Sequence, residues 1–293
     1  MSNKFKTNII HQGDCFDVIS KFPDKFIDFI FTSPPYAERR KCIYGGIHHN
    51  KYVEWFSYIS EQLFRVLKSN GSFILNIKEN VINGERQTYV LELILKLKEI
   101  GWLWTEEYCW YKKNSYPGKW PNRFRDTWER CLHFTKQKKF KMYQDSVKVP
   151  IGDWAKERFK HMSDKDFIRT VSGTNSNFGR NVSNWLNKRK VYPHNVLSFE
   201  KEHCFEPTNL IQFPTECSNR NHPAVFPIEL PTWFIKLFTR KKDIVLDPFI
   251  GIGTTALASI LLNRKYIGIE KVKEYVKETN KNIKDLEKIK ELK

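Results

Sequence analysis

Ser33, Pro34, Pro35 and Tyr36 end an apolar run, in the stretch FIDFIFTSPPY at residues 26–36. A proline pair removes two N–H donors and fixes φ, so the carbonyls at such a corner keep a set direction and are not consumed in a sheet. The Ser33 hydroxyl and the Tyr36 ring are thereby held in fixed relation, with Thr32 just before them. That arrangement suits a flat substrate better than a plain turn. A second group lies far downstream, in DIVLDPFIGIGTTALA at residues 243–258. Here Asp247 and Phe249 lead into a loop with Gly251 and Gly253, and Thr254 or Thr255 could cap the helix that follows. The glycines let backbone approach a ligand closely. With no Lys after the second glycine, the phosphate-binding loop of an NTPase is excluded. Glu270, nineteen residues beyond Gly251, ends the next apolar run, where an acidic side chain can accept hydrogen bonds from the ribose of an adenosine-containing cofactor.

Alternating strands and helices must position these groups. Residues 26–32 read as a buried strand, and apolar positions 53, 56, 59, 63 and 66 as one face of a helix. A turn and strand follow in KSNGSFILNI, then a helix over 89–100 closed by Gly101. WLWTEEYCWYKK and ERCLHFTK complete the first half as strands. Beyond a Lys/Arg-rich interval, helix, strand, helix and strand resume from residue 228 to Glu270. The pattern predicts an α/β fold, a mainly parallel sheet with helices on both faces. Its expected divisions are 1–136, an insertion at 137–216, and 217–293. The last segment carries a terminal amphipathic helix to which no chemistry is assigned.

Composition narrows the partners. In 293 residues there are 50 Lys and Arg against 33 Asp and Glu, a net charge of +17, with 15% aromatic residues. That balance points to a polyanion, nucleic acid first. Six scattered cysteines without a C-x-x-C pair argue against both a disulfide framework and a zinc ribbon, so no metal is expected. No stretch approaches a bilayer-spanning run, and no signal-peptide core is evident, so the expected location is the cytoplasm without membrane association.

With TSPPY before DPFIGIGTT, and HPAVFP at 222–227 just ahead of the latter, the chain resembles the amino-group DNA methyltransferases that use S-adenosylmethionine. The resemblance is to their circularly permuted class, in which the catalytic tetrapeptide precedes the cofactor loop. QGDCFDVI at 12–19 and RFRDTWERCLHFTK at 123–136 are similar to further stretches of that family. The resemblance implies a Rossmann-like methyltransferase fold with 137–216 in the place of a target-recognition region. It implies that Asp247, Phe249, Gly251, Gly253 and Thr254 line the methionine side of the cofactor, with Thr32 and Thr255 beside them. Glu270 would hold the ribose, and Asp14 and Phe226 would lie near the adenine. His222 is expected to be a structural hydrogen-bonder.

An exocyclic amine has its lone pair delocalised into the base and is a poor nucleophile. Hydrogen bonds accepted by Ser33 Oγ and the Pro34 carbonyl would draw its N–H bonds out of plane, and alignment with the methyl group would supply much of the remaining rate. A base inside a duplex cannot reach such a corner, so it must be flipped, with Tyr36 stacking on it. In the family, Ser at the first position mostly accompanies cytosine N4 and Asp adenine N6, which favours N4-cytosine. C5 methylation needs a cysteine nucleophile, and the chain has no Pro-Cys pair.

For double-stranded DNA, Arg123 and Arg125, interleaved with Tyr116 and Trp120, fit a displaced strand. Lys188 and Arg189 in NKRK, and the lysines of KQKKFK at 136–141, fit phosphate contacts. SGTNSNFGRN at 172–181 offers side chains for base edges. The family implies a cognate restriction endonuclease as functional partner. The competing expectations are adenine-N6 methylation, an RNA methyltransferase with a similar corner, and a catalytically silent DNA-binding module of the same fold.

Overall fold

The computed structural model describes residues 5–38, 46–112, 122–124, 126–152, 157, 160–161, 189–197 and 226–291. In chain order these supply β1 (Ile9–Gln12), α1 (Cys15–Ile19), β2 (Ile27–Thr32), α2 (His49–Val66), β3 (Leu67–Ile77), β4 (Val81–Ile82), β5 (Glu85–Arg86), α3 (Tyr89–Ile100), β6 (Leu103–Tyr111) and β7 (Trp128–Thr135). After a short 3-10 turn at Gln144–Val147 come β8 (Val149–Pro150), β9 (Lys190–Val191), β10 (Val196–Leu197), α4 (Glu229–Phe238), β11 (Ile244–Asp247), α5 (Thr254–Leu261), β12 (Lys265–Glu270) and α6 (Lys273–Glu291).

Eight strands form one sheet in the order β1-β12-β11-β2-β3-β7-β6-β10. Its pairings are parallel except where β7 runs antiparallel to β3 and β6. The expected mainly parallel α/β sheet is what forms. Every residue of β2 is buried, as a central parallel strand requires. Period-2 alternation sends Phe29 and Phe31 to one face, where they meet Phe238 and Phe234 of α4. Ile30 points to the other, into a cluster with Phe56, Leu63, Leu93 and Leu97 of α2 and α3. Full burial of each such side chain contributes about 1.5–3 kcal/mol. Gly101, at φ 113°, closes α3 in the left-handed conformation that a side chain would resist.

The chain divides into two compact units, Met1–Tyr143 with Asn195–Lys293, and Gln144–His194. The second is narrower than the insertion expected at 137–216. On one side, Lys141 N donates to Asn70 O and Tyr143 N to Leu237 O; on the other, Val196 and Leu197 pair with β6. Backbone pairing of this kind leaves no signal in side-chain pattern. Within the smaller unit, β8 pairs with β9, and Lys148 bridges to Asp145 while lying over the Tyr192 ring.

Two lysines of KQKKFK take structural places. Lys136 Nζ donates to Leu67 O and lies over the Phe64 ring, with burial pushing its pKa down to about 8. Lys141 and Lys68 both bond the buried Asp28 carboxylate near the start of β2. Burial alone would raise the Asp28 pKa, but these lysines and the Ile244 N–H hold it below the usual value. Lys136 and Lys141 therefore both serve the end of β2 opposite Ser33.

Candidate active site

β2 and β11 are parallel neighbours, so their carboxyl ends open on the same side of the sheet, where doubly wound folds bind ligands. The Ser33–Tyr36 corner leaves the first strand there, and the glycine loop leaves the second. Asp247, 1% exposed, joins them. Its Oδ1 accepts from Thr32 Oγ1 at 2.7 Å and from Phe249 N at 3.0 Å, and its Oδ2 accepts from Thr255 Oγ1 at 2.7 Å. Burial pushes the Asp247 pKa up to about 6, against the pull of those three donors and with a further push from Glu270.

Thr32, Asp247 and Thr255 thus form a buried triad beneath the loop. Expected as cofactor contacts, they spend their side chains on one another and place the loop. Nor does either threonine cap α5: the N-cap is Gly253, at φ 96°, and no side-chain cap bond forms there. The Thr255 hydroxyl instead donates to the Asp247 carboxylate, a charge-assisted bond, rather than accepting from a backbone N–H as a cap would.

Glu270 is 3% exposed at the end of β12. Gly251 N donates to its Oε2 at 3.1 Å and Val272 N to its Oε1 at 2.8 Å, which folds the glycine loop toward the carboxylate. Gly13 N bonds the Glu270 carbonyl, which brings the turn after β1 to the same place. Asp14 caps α1 through Phe16 N and lies 3.6 Å from Lys271 Nζ. Phe226 packs edge-on against Phe31, and Phe249 packs against Trp55 of α2. An acidic strand end, a glycine loop at positive φ and aromatic edges around one crevice fit a cofactor with a ribose and a cationic sulfonium group.

α6 has a role that its charged sequence did not announce. Thr279 Oγ1 donates to Gly251 O at 2.7 Å, and Asn282 Nδ2 to Ile252 O at 3.1 Å, so the helix braces the loop from behind. A Cβ on Gly253 would lie 2.6 Å from Thr279 Cγ2. This glycine is required by packing as well as by φ.

At the corner, the sequence reading missed a polar network. Tyr36 Oη donates to Glu129 Oε2 at 2.8 Å, and Ser33 Oγ lies 3.4 Å from Tyr36 Oη. Asn76 of β3 directs Nδ2 at Ser33 Oγ, Tyr36 Oη and Glu129 Oε2, at 3.3, 3.3 and 3.1 Å. Lys112 Nζ bonds Glu129 Oε1 at 2.7 Å. Burial, then the Glu129 charge, holds the Tyr36 pKa well above 10, so its hydroxyl stays protonated. The available signal was Asn76 itself, a lone amide inside the apolar run FILNI.

A cleft of about 730 Å³ opens beside Tyr36 and Glu129, walled by Lys78, Asn80, Asn83, Arg123 and Asp126 among others. Arg123 is thus brought to the corner, where it pairs with Asp126 at 2.8 Å. Arg189 is exposed in the smaller unit, while Arg125, Lys188, His222 and SGTNSNFGRN lie outside the described residues. Just past the corner, Glu38 Oε1 lies 3.4 Å from His48 Nε2 and 3.6 Å from His49 Nδ1, a cluster that the sequence reading did not foresee. Among the described residues, Cys15, Cys109 and Cys131 are free thiols, and no helix is long and apolar enough to cross a membrane.

Known proteins share both sequence and fold with this chain. It is 29% identical over 290 residues to the Type II methyltransferase M.PvuII of Proteus hauseri, covering 91% of this chain and 81% of that one. With the Type II methyltransferase M.BglII of Bacillus subtilis it is 28% identical, covering 92% and 67%. The solved structure of PvuII DNA methyltransferase (cytosine-N4-specific) superposes with a TM-score of 0.68 at 23% identity, over 97% of this chain and 93% of that one. The M1.HpyAVI–SAM complex does so with a TM-score of 0.57 at 20% identity, over 94% and 98%. A family model described as DNA methylase matches residues 27–281, from the strand that carries the Ser33 corner to the helix that braces the glycine loop. The chain belongs to that DNA methylase family.

Proposed function

We propose that the protein transfers a methyl group from S-adenosylmethionine to the exocyclic N4 of a cytosine flipped out of a specific sequence in double-stranded DNA. The observation that carries this reading is the Thr32–Asp247 bond, which sets the Ser33–Tyr36 corner against the glycine loop. Glu270 would hold the ribose, and the backbone of Gly251 to Thr254, with Phe249, would line the methionine side. When bound, the cofactor supplies a methyl group on a sulfonium. Ser33 Oγ and the Pro34 carbonyl accept the amine's N–H bonds and turn its lone pair outward. The Tyr36 ring, anchored through its hydroxyl to Glu129, is the stacking surface. Arg123 on the cleft wall, with Arg125, Lys188 and Arg189, would meet the DNA backbone.

Cytosine is favoured by the neutral Ser33 at the first corner position. It is also favoured by the similarity to M.PvuII, whose solved structure carries the description cytosine-N4-specific. The Type II names of the relatives support a modification enzyme acting opposite a cognate endonuclease, in the cytoplasm, with residues 137–216 reading the sequence. To test the reading, the protein is incubated with isotope-labelled S-adenosylmethionine and mixed-sequence DNA, and the labelled nucleoside is identified by mass spectrometry. N4-methylcytosine is expected. N6-methyladenine would overturn the choice of base, and an unlabelled digest would overturn the activity.

A further inference from the structure

The corner network has a direction. Cys131 Sγ bonds Asn76 Oδ1 at 3.4 Å, which leaves the Asn76 amino group facing Ser33, Tyr36 and Glu129. Oxygens that receive a hydrogen bond from Asn76 must send their own hydrogens elsewhere. Tyr36 sends its hydrogen to Glu129 Oε2, and the Ser33 hydroxyl is aimed at Tyr36 Oη. The donors therefore run from the corner inward and end on a carboxylate that is 8% exposed and lines the cleft.

Methylation of an amine leaves the nitrogen with one proton in excess. We infer that Glu129 is the terminal acceptor of that proton, reached through Ser33 and Tyr36. The N–H bond breaks with its electron pair staying on nitrogen, and its proton passes to Ser33 Oγ. The Ser33 proton passes to Tyr36 Oη, and the Tyr36 proton to Glu129 Oε2. Three bonds to hydrogen break and three form, and Glu129 ends as the neutral acid. It returns the proton to solvent through the cleft. The high pKa of Tyr36 suits this part, since a hydroxyl that stays protonated can accept and donate at once. Among the described residues, the charged and titratable groups facing Glu129 include Lys112 and Lys78 with Tyr36 and Cys131, and Lys112 holds the oxygen that the relay does not use.

The inference rests on amine methylation by this corner, and the test separates the two. Single-turnover methyl transfer is measured on mixed-sequence duplex DNA, in light and heavy water, for the full chain and for Glu129→Gln, Tyr36→Phe and the double variant. The nucleoside made by the wild type judges the activity reading, and the variant-to-wild-type ratios judge the relay. Each single variant is expected to lose about 100-fold in rate, the usual scale of proton-transfer help, with cofactor affinity unchanged. Each should also lose the solvent isotope effect, and the double variant should be no slower than the slower single. Single variants within about threefold of wild type, or losses that multiply in the double, would overturn the relay. Should Glu129→Gln fold poorly, Glu129→Asp keeps the acid. Retention of the solvent isotope effect in that variant supports the assignment, and its absence overturns it.

Discussion

Thr32 and Asp247 are separated by 215 residues in the chain and by 2.7 Å between Oγ1 and Oδ1. One buried hydroxyl thereby sets the spacing between the corner proposed to hold the amine and the loop proposed for the cofactor. Thr32→Val keeps the shape and the β-branch but leaves Asp247 with one donor fewer. It should cost about 1–3 kcal/mol in denaturant unfolding and weaken S-adenosylmethionine binding measured by calorimetry. Unchanged binding at the lower stability would show that the loop keeps its place without Thr32.

Asp247 makes the site sensitive to acid. Its folded-state pKa, about 6 against the usual 3.8, means that the folded protein binds the extra proton between those values. The contribution of this group to stability is full below pH 3.8 and is lost as pH rises through about 6. Above that value the carboxylate is charged, and a cationic sulfonium is bound more tightly. Cofactor affinity should therefore rise through an inflection near pH 6 that Asp247→Asn abolishes.

Gly253→Ala places a methyl group against Thr279 and a side chain at φ 96°. It should destabilise the protein by about 2–4 kcal/mol, overpacking and left-handed strain together. Thr279→Ser removes the obstructing Cγ2 while keeping the hydroxyl that bonds Gly251 O. In the double variant it should restore the packing part of the loss and leave the backbone part. A double-mutant cycle on melting temperature reads the coupling, and additive effects would exclude it.

Glu270→Gln keeps the size but not the charge, and its amide cannot accept from both Gly251 N and Val272 N through equivalent oxygens. Cofactor affinity should fall about tenfold or more, with nonspecific DNA binding unchanged. The reverse order would remove Glu270 from the ribose.

Exchanging residues 144–194 for the matching segment of a relative with another specificity should change which DNA sequence is methylated. Because this unit is compact by itself, melting should be little affected. An unchanged recognition sequence would take the reading function out of 144–194, and the same result on exchanging 137–216 would move it elsewhere in the chain.

The two chemical clusters were legible because proline pairs and glycine loops leave strong local marks: a mostly apolar strand broken by Pro34 and Pro35, and glycines at 251 and 253 ahead of Thr254. Glu270 was legible by spacing. What joins them was not. Nothing local tells that Thr32 and Thr255 turn toward Asp247, since a hydroxyl at a strand end reads equally as a ligand contact. Glu129 and Lys112 come to Tyr36 through the antiparallel insertion of β7 between β3 and β6, a pairing choice without a sequence mark. Thr279 and Asn282 sit in a helix whose lysines and glutamates suggest only a solvated face. The bonds of Lys136 and Lys141 were not legible, because a cation on a buried carboxylate or carbonyl is written with the same letters as one on a phosphate.

β2 acquires its two neighbours at very different times. Leu67–Ile77 follows it closely, but Ile244–Asp247 leaves the ribosome more than 200 residues later. At about 5–20 residues per second, that delay is roughly 10–40 s. Through that interval a strand without a polar outer face shows an open row of amides and carbonyls to whatever it meets. The nascent first half is thus the chain's vulnerable part, and a fragment ending near Tyr143 would carry the bare edge permanently.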